Sequence, residues 1–362
     1  KKGDSMMNGI DTIIQRLNTD AKAETDALLE KARQEAAAVA ARYQAQADKE
    51  VADLAARNER LAAEREERLI SAAQMEARKT LLTAKQEMVE RAYQRALEKL
   101  CTGYRDFLSN CKTERESTTE AVRAAKAAGY RDLAEVVAAG QSLKAGDKVY
   151  AVCMKKAIAL FNIGTEPMEK GMAILGAHID TCRLDVKQNP LYEDSGLAYL
   201  DTHYYGGIKK YQWVTLPLAL HGVVVKKDGT VLDIVIGEDD KDPVFCVTDL
   251  LIHLSQEQME KKASKVIDGE NLDILVGSNP LKGEEKDAVK AGVLKLLKDS
   301  YDVEEDDFIS AELTLVPAGR ARELGFDRSM ILAYGHDDRV CAYTSLAAML
   351  ETKKVKRTAC CL

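Results

Sequence analysis

Between residues 10 and 102 the hydrophobic pattern is thin. Ile14, Leu17, Leu28, Val39, Val51, Leu54, Leu61 and Leu69 are spaced by alanines and charged residues, and no glycine or proline interrupts the stretch. Ala, Glu, Arg, Gln, Lys and Leu dominate, and these are strong helix formers. The stretch therefore predicts one unbroken helix, about 140 Å long at 1.5 Å rise per residue. So narrow an apolar stripe cannot bury a globular core, but it suits a seam against one or two partner helices, as in a coiled coil. Leu17, Leu28, Val39 and Leu61 fall on an 11-residue grid that Glu50 interrupts. A period of 11 favours right-handed winding.

The pattern changes after Thr102. Gly103 is expected to break the helix, and "YRDFLSNCKTERESTTEAVRAAKAAGY" to begin a new amphipathic helical region. Short β-branched runs follow at "KVYAVCM" (148–154), "AIALFNIG" (157–164) and "MAILGAH" (172–178). Near-continuous apolar runs flanked by helices predict a sheet covered on both faces. From about 205 to 237 the pattern turns antiparallel, with "HGVVVKKDGTVLDIVIG" as a hairpin turning at Asp228-Gly229. A helical stretch from Thr248 to about Ala263, an amphipathic helix "KDAVKAGVLKLLKDSY" and a strand "AELTLV" come next. "MILAYGHDDRVCAYTSLAAMLE" then reads as strand, loop and helix, a return to the first architecture. The simplest account is an α/β domain with a β-rich insertion.

Composition narrows the function. The chain has 362 residues and a net charge of −7, an acidic balance that argues against general nucleic-acid binding. No apolar run approaches the ~20 residues that span a bilayer. "KKGDSMMNGID" turns polar at once, unlike a secretory leader. A cytoplasmic protein is the expectation. The eight cysteines form no CxxC pair and sit mostly among apolar neighbours, so buried, reduced thiols are expected.

Two stretches carry candidate chemistry. "MAILGAHID" brings His178 and Asp180 to the end of an apolar run, and at a strand's period of 2 both side chains point to one side. A metal-ligating histidine needs its second ring nitrogen held, commonly by a carboxylate. A satisfied structural pair would read the same way. "AYGHDDRVCAY" places Asp337 and Asp338 where a strand meets a helix, the end of the sheet at which open α/β folds bind ligands. Two adjacent acids beside His336 are costly unless a cation neutralises them or they face water. As the alternative, either acid could cap the helix that follows.

These motifs carry a resemblance. "GAHIDTCRLD" and "GHDDRVCAY", with "YRDFLSNCKTERE", "THYYGGIKKYQW" and "PLALHGVVV", resemble the aspartyl aminopeptidase family of co-catalytic zinc metallopeptidases, in particular its bacterial aminopeptidase 1 branch, over about 103–362. The resemblance implies that His178 and Asp337 are metal ligands, with Asp337 bridging two zinc ions. It makes Asp180 a supporting catalytic residue, and manganese or cobalt could replace zinc. It sets Tyr205, Gly206 and Gly207 in the family's "YGG" stretch. His336 replaces an apolar residue of many relatives and is expected to point away from Asp337. The insertion implies a homo-oligomer, and His253 within it would either reach a neighbour's active site or face the core. Beyond Asp337 the family needs a Glu-Glu pair, another acidic ligand and a C-terminal histidine. Glu351 stands without a neighbouring Glu, so an incomplete site that binds zinc poorly and does not hydrolyse peptides is expected.

A second resemblance covers the long helix. "MNGIDTIIQRLNTDAKAETDALLEKARQEA", beginning at Met7, is similar to the start of the E-type stalk protein of V-type ATP synthases, and 7 to about 100 to its N-terminal helix. That implies a helical peripheral-stalk partner. The expected fold is thus α/β: a long N-terminal helix or coiled coil (1–102), an incomplete zinc-peptidase domain (103–200 and 317–362), and an inserted β-rich dimerisation domain (201–316). Peptide substrates, a stalk partner, or an accidental fusion of two unrelated products all follow from these readings.

Overall fold

The computed structural model describes the backbone from residue 4 and side chains from residue 9, up to residue 362. The chain divides into two compact units, Lys1–Gln94 and Arg95–Leu362. Helix α1 runs over Asp4–Asn110. Within the first unit every residue from 9 onward is exposed. Local pairs line this helix, among them Arg60 with Glu64 and Glu87 with Arg91. Each such pair contributes about 0.2–0.5 kcal/mol, so the helix rests on propensity and length rather than on burial. Met7, the start of the second resemblance, lies among residues whose side chains are not described.

The expected break at Gly103 does not occur. A Cβ at Gly103 would lie 2.1 Å from the Tyr343 hydroxyl, so this glycine is a notch for an aromatic side chain. The helix continues far enough to bury Tyr104, Phe107 and Leu108, and ends at Asn110. Thr113 then caps α2 (Glu114–Ala127) in a capping box with Glu116.

Strands β1 (Arg131–Asp132), β2 (Lys148–Cys153), β3 (Ala157–Asn162) and β4 (Ala173–Leu175) follow, with α3 (Leu133–Ala138) after β1. The chain next builds β5 (Arg183–Asp194), β6 (Leu197–Tyr205), β7 (Leu218–Val225), β8 (Val231–Ile236), β9 (Cys246–Val247) and β10 (Ile274–Gly277). Short α4 (Gln256–Met259) precedes β10, and α5 (Ala288–Tyr301) and β11 (Ala311–Pro317) come after it. A ribbon of β12 (Arg322–Leu324) and β13 (Met330–Leu332) leads to α6 (His336–Glu351) and β14 (Ala359–Cys361).

One sheet has the order β1-β2-β3-β14-β4, and the other β8-β7-β11-β5-β6-β10-β9. Because β14 lies between β3 and β4, everything from β5 to β11 is an insertion within the first sheet. Its core is closed by Leu184, Leu218, Leu272, Ile274, Leu315 and Phe308, all buried. A buried side chain of this kind contributes about 1.5–3 kcal/mol. The smaller core packs Ala121 and Ala125 of α2 and Leu346 and Met349 of α6 on Tyr150, Leu160 and Cys361.

The α/β architecture with a long N-terminal helix and a β-rich insertion is present, with four corrections. The division expected between 200 and 201 falls inside β6, because β5 and β6 pair as a hairpin and enter the inserted sheet together from Arg183. The first sheet is covered unevenly: all three residues of β4 are exposed. The helix expected over Thr248 to Ala263 is reduced to α4 and short 3-10 turns. All eight cysteines are free thiols, but Cys153 and Cys341 are exposed.

Candidate metal centre

After β4 one more ladder bond, from the Ala177 N–H to the Leu362 carbonyl, holds the backbone, which then runs without regular structure until β5 starts at Arg183. His178 and Asp180 lie on this loop, so their proximity comes from a turn rather than from strand period. His178 Nδ1 is 3.0 Å from the Asp180 carbonyl and 3.2 Å from its Oδ1. A carbonyl only accepts, so Nδ1 carries hydrogen and a neutral ring presents its lone pair at Nε2. That Nε2 lies 3.4 Å from Asp337 Oδ1. Asp337 is 97% exposed and His178 52% exposed.

Tyr205, at the end of β6, donates its hydroxyl to Asp180 Oδ2 at 2.8 Å. Register fixes this contact, since Tyr205 faces Arg183 across the β5–β6 pair and the guanidinium lies 4.1 Å from its ring centroid. Gly206, at φ +80°, allows the next turn to pass Cys182, whose Sγ would be 2.8 Å from a Cβ there. Thr181 Oγ1 donates to the Asp337 carbonyl at 3.4 Å. Burial opposes charge on His178, but the Asp180 carbonyl and the carboxylates of Asp180, Asp338 and Asp337 outweigh it and raise its pKa. Burial likewise opposes the Asp180 carboxylate, but Tyr205 and His178 hold it below the usual range.

Asp337 and Asp338 interrupt the first turn of α6 with non-helical backbone, and the peptide between them is cis. The helix is entered through Gly335, and no side chain caps it. Gly335 has no side chain to cap with, and the kink at Asp337 and Asp338 lies between it and the rest of the helix. The strand before them, β13, belongs to the separate ribbon and not to the main sheet, so the sheet-end argument applied to the wrong strand. His336 turns both ring nitrogens away from Asp337, Nδ1 to the Tyr104 hydroxyl at 2.9 Å and Nε2 to the Ile331 carbonyl at 3.1 Å. His253 is exposed, which excludes the core-facing alternative.

Imidazole nitrogen and carboxylate oxygen are donors that suit zinc. Their number falls short of a closed site: among the described residues no group of three or more His, Cys, Asp or Glu side chains could hold a metal ion. Sequence reasoning did not find Arg339 and Tyr334, which bond to the carbonyls of Ile179 and Cys182 on the loop. The available signal was an arginine directly after two aspartates in an apolar helix.

The mixed α/β fold, with a loop that carries His178 and Asp180 between its two sheets, is shared with solved M18 aminopeptidases. Residues 107–361 match the family model described as Aminopeptidase I zinc metalloprotease (M18), and the chain belongs to that family. It is 62% identical over 256 residues to a probable M18 family aminopeptidase 1 of Clostridium acetobutylicum, covering 70% of this chain and 55% of that protein. The crystal structure of the M18 aminopeptidase from Thermotoga maritima superposes with a TM-score of 0.70 at 44% identity, over 74% of this chain and 58% of that one. For aminopeptidase I of C. acetobutylicum the TM-score is 0.66 at 59% identity, over 71% and 56%. The chain thus spans about half the length of the curated relatives it matches. Residues 16–113 match a second model, that of the ATP synthase (E/31 kDa) subunit. No described helix is long and apolar enough to cross a membrane.

Proposed function

We propose that residues 107–361 carry the His–Asp part of a co-catalytic dizinc site, in an aminopeptidase that removes N-terminal residues from peptides. The observation that carries this reading is the facing pair of lone-pair donors, His178 Nε2 and Asp337 Oδ1, 3.4 Å apart. With Nδ1 committed to Asp180, only a proton or a metal cation reconciles them. His178 and Asp337 would be the ligands, Asp337 in the family's bridging position. Asp180, anchored by Tyr205, fixes the imidazole's tautomer and supports the reaction. Bound zinc supplies Lewis acidity toward water and the scissile carbonyl, and manganese or cobalt can stand in for it. The inserted region serves as the homo-oligomerisation surface, through the stretch after β9 where the exposed Leu250, Leu251, Ile252 and Leu254 flank His253.

The described residues supply too few donors for tight binding. Zinc is expected to bind saturably but well below the ~10–16 kcal/mol of closed four-ligand sites. His178→Ala is expected to weaken it at least tenfold; equal affinity of the two proteins overturns the assignment. Aminoacyl anilides are expected to stay intact with the purified chain in excess zinc. Steady product release that Asp337→Ala abolishes would refute this inactivity.

A second reading concerns the first unit, favoured by the match over residues 16–113 and by an apolar series exposed from Ile10 to Tyr93. There the helix pairs with a long-helix component of a V-type ATP synthase stalk, and the chain joins two products of separate origin. Co-purification with that component, lost when residues 1–94 are deleted, supports it; no association at micromolar concentrations refutes it.

A further inference from the structure

Loop 176–182 has little backbone support, and its course is set by side chains from α6 and the residues preceding it. Arg339 Nε donates to the Ile179 carbonyl at 3.2 Å, on the residue between His178 and Asp180. Arg339 Nη2 donates to the Lys112 carbonyl at 2.6 Å, at the junction of α1 and α2. Its guanidinium carbon lies 5.5 Å from the ring centroid of Tyr334, whose hydroxyl donates to the Cys182 carbonyl at 2.8 Å. The loop is therefore gripped on both sides of Asp180. Arg339 is 1% exposed, and its Nη1 has no hydrogen-bond partner.

A buried cation bonded to carbonyls and a ring is an expensive way to fill space. The fold makes room for it: Gly335, at φ +86°, would place a Cβ 2.4 Å from Nη1. Arg339 also follows Asp337 by two residues. One guanidinium thus sets the N-terminal segment of α6, which bears Asp337, against the loop that bears His178.

We infer that Arg339 is a positioning residue of the metal centre: by holding the Ile179 carbonyl it fixes the peptide between His178 and Asp180 and keeps His178 Nε2 facing Asp337. The inference rests on the zinc reading above for its consequence, but its geometric core stands apart from zinc. Without the clamp the Ile179 peptide can rotate, the Nδ1–H bond to the Asp180 carbonyl loosens, and the ring loses its imposed tautomer.

The test uses the full chain and three variants: Arg339→Met, Arg339→Lys and, as a control, Met349→Ala, which opens a cavity elsewhere on buried α6. Imidazole nitrogen NMR reads the His178 tautomer in metal-free protein above its titration range, and chelator competition reads zinc affinity. Expected are the Nδ1–H tautomer in wild type and in Met349→Ala, a mixture in Arg339→Met, and partial recovery in Arg339→Lys. Zinc affinity is expected to fall about tenfold in Arg339→Met, as for other outer-shell partners, and to stay within about twofold in Met349→Ala. An unchanged tautomer in Arg339→Met, or the same change in Met349→Ala, overturns the inference. If Arg339→Met does not fold, Arg339→Lys decides: wild-type tautomer and affinity then overturn the inference, and intermediate values support it. If wild type binds no zinc, the zinc reading fails, and the tautomer alone decides the role of Arg339.

Discussion

His178 and His221 each lie between two carboxylates, yet their surroundings differ. His221 Nδ1 meets Glu116 Oε1 at 2.7 Å and Nε2 meets Glu238 Oε1 at 3.1 Å, with the histidine side chain only 4% exposed. Lys112 Nζ closes the cluster with bonds to Glu238 and to the Pro317 and Gly319 carbonyls. Glu116 Oε2 accepts the backbone amides of Lys112 and Thr113. Two acids face two bases, and each ring nitrogen has a partner. Around His178 three acids, Asp180, Asp337 and Asp338, face one imidazole, and the carboxylate opposite Nε2 is bare to solvent. The first arrangement is charge-closed and stabilises the junction of α2 with the inserted sheet. The second carries excess negative charge and leaves a ring nitrogen and an exposed carboxylate facing each other.

The comparison breaks most readily at Lys112. Lys112→Met strips Glu238 of its buried partner and is expected to cost about 3–5 kcal/mol, read from the denaturant midpoint. A loss below about 1 kcal/mol would mean the cluster does not bear on stability. Next in size is a pH effect. Burial opposes charge on His221, but Glu116 and Glu238 outweigh it and raise its pKa. Burial opposes both carboxylates too, and His221, with Lys112 at Glu238, lowers them below the usual range. The raised histidine stabilises fully below its unfolded value of about 6.5 and loses that contribution as pH rises through the folded value. The lowered acids stabilise fully above about 4.3 and lose it as pH falls through their folded values. Both contributions are complete between those limits. The stability gap between wild type and His221→Asn is therefore expected to be widest there and to shrink on the alkaline side by on the order of 1 kcal/mol. A gap that grows with pH would reverse the assignment. Smallest is the effect at the open site. Metal-free His178→Ala is expected to change stability by less than about 0.5 kcal/mol, since the ring is half exposed. Zinc at ten times the wild-type dissociation constant should add about 1.4 kcal/mol to wild type and at most about 0.4 kcal/mol to that variant.

Much of the fold was legible because its signals are local. The Ala- and Glu-rich run declared its helix, and Asp228-Gly229 its hairpin. Gly103 misled because propensity says nothing about Tyr343, which approaches from a helix far along the chain. The stretch after Thr248 has helical composition, but its exposed apolar residues find no core to pack on, and only short turns form. His178, Asp180 and Asp337 stood out by motif, and the structure places the two aspartates beside the His178 imidazole. Period-2 reasoning put His178 and Asp180 side by side by the wrong geometry, since the loop leaves the sheet before His178. Arg339 and Lys112 escaped notice because their partners are mostly carbonyls, which leave no trace in side-chain identity.

The placement of β14 also sets an order of events. The strand occupies an interior slot of the first sheet, bonded to β3 on one side and β4 on the other, about 200 residues after β3 is made. The inserted sheet contains all its own strands by Pro317. On a ribosome releasing the chain from its N-terminus, the guest can therefore finish folding while its host still has a gap in the middle. The loop carrying His178 would be held at one end by completed structure well before β4 gains its neighbour, so the pairing of His178 with Asp337 would be among the last parts of the unit to take shape.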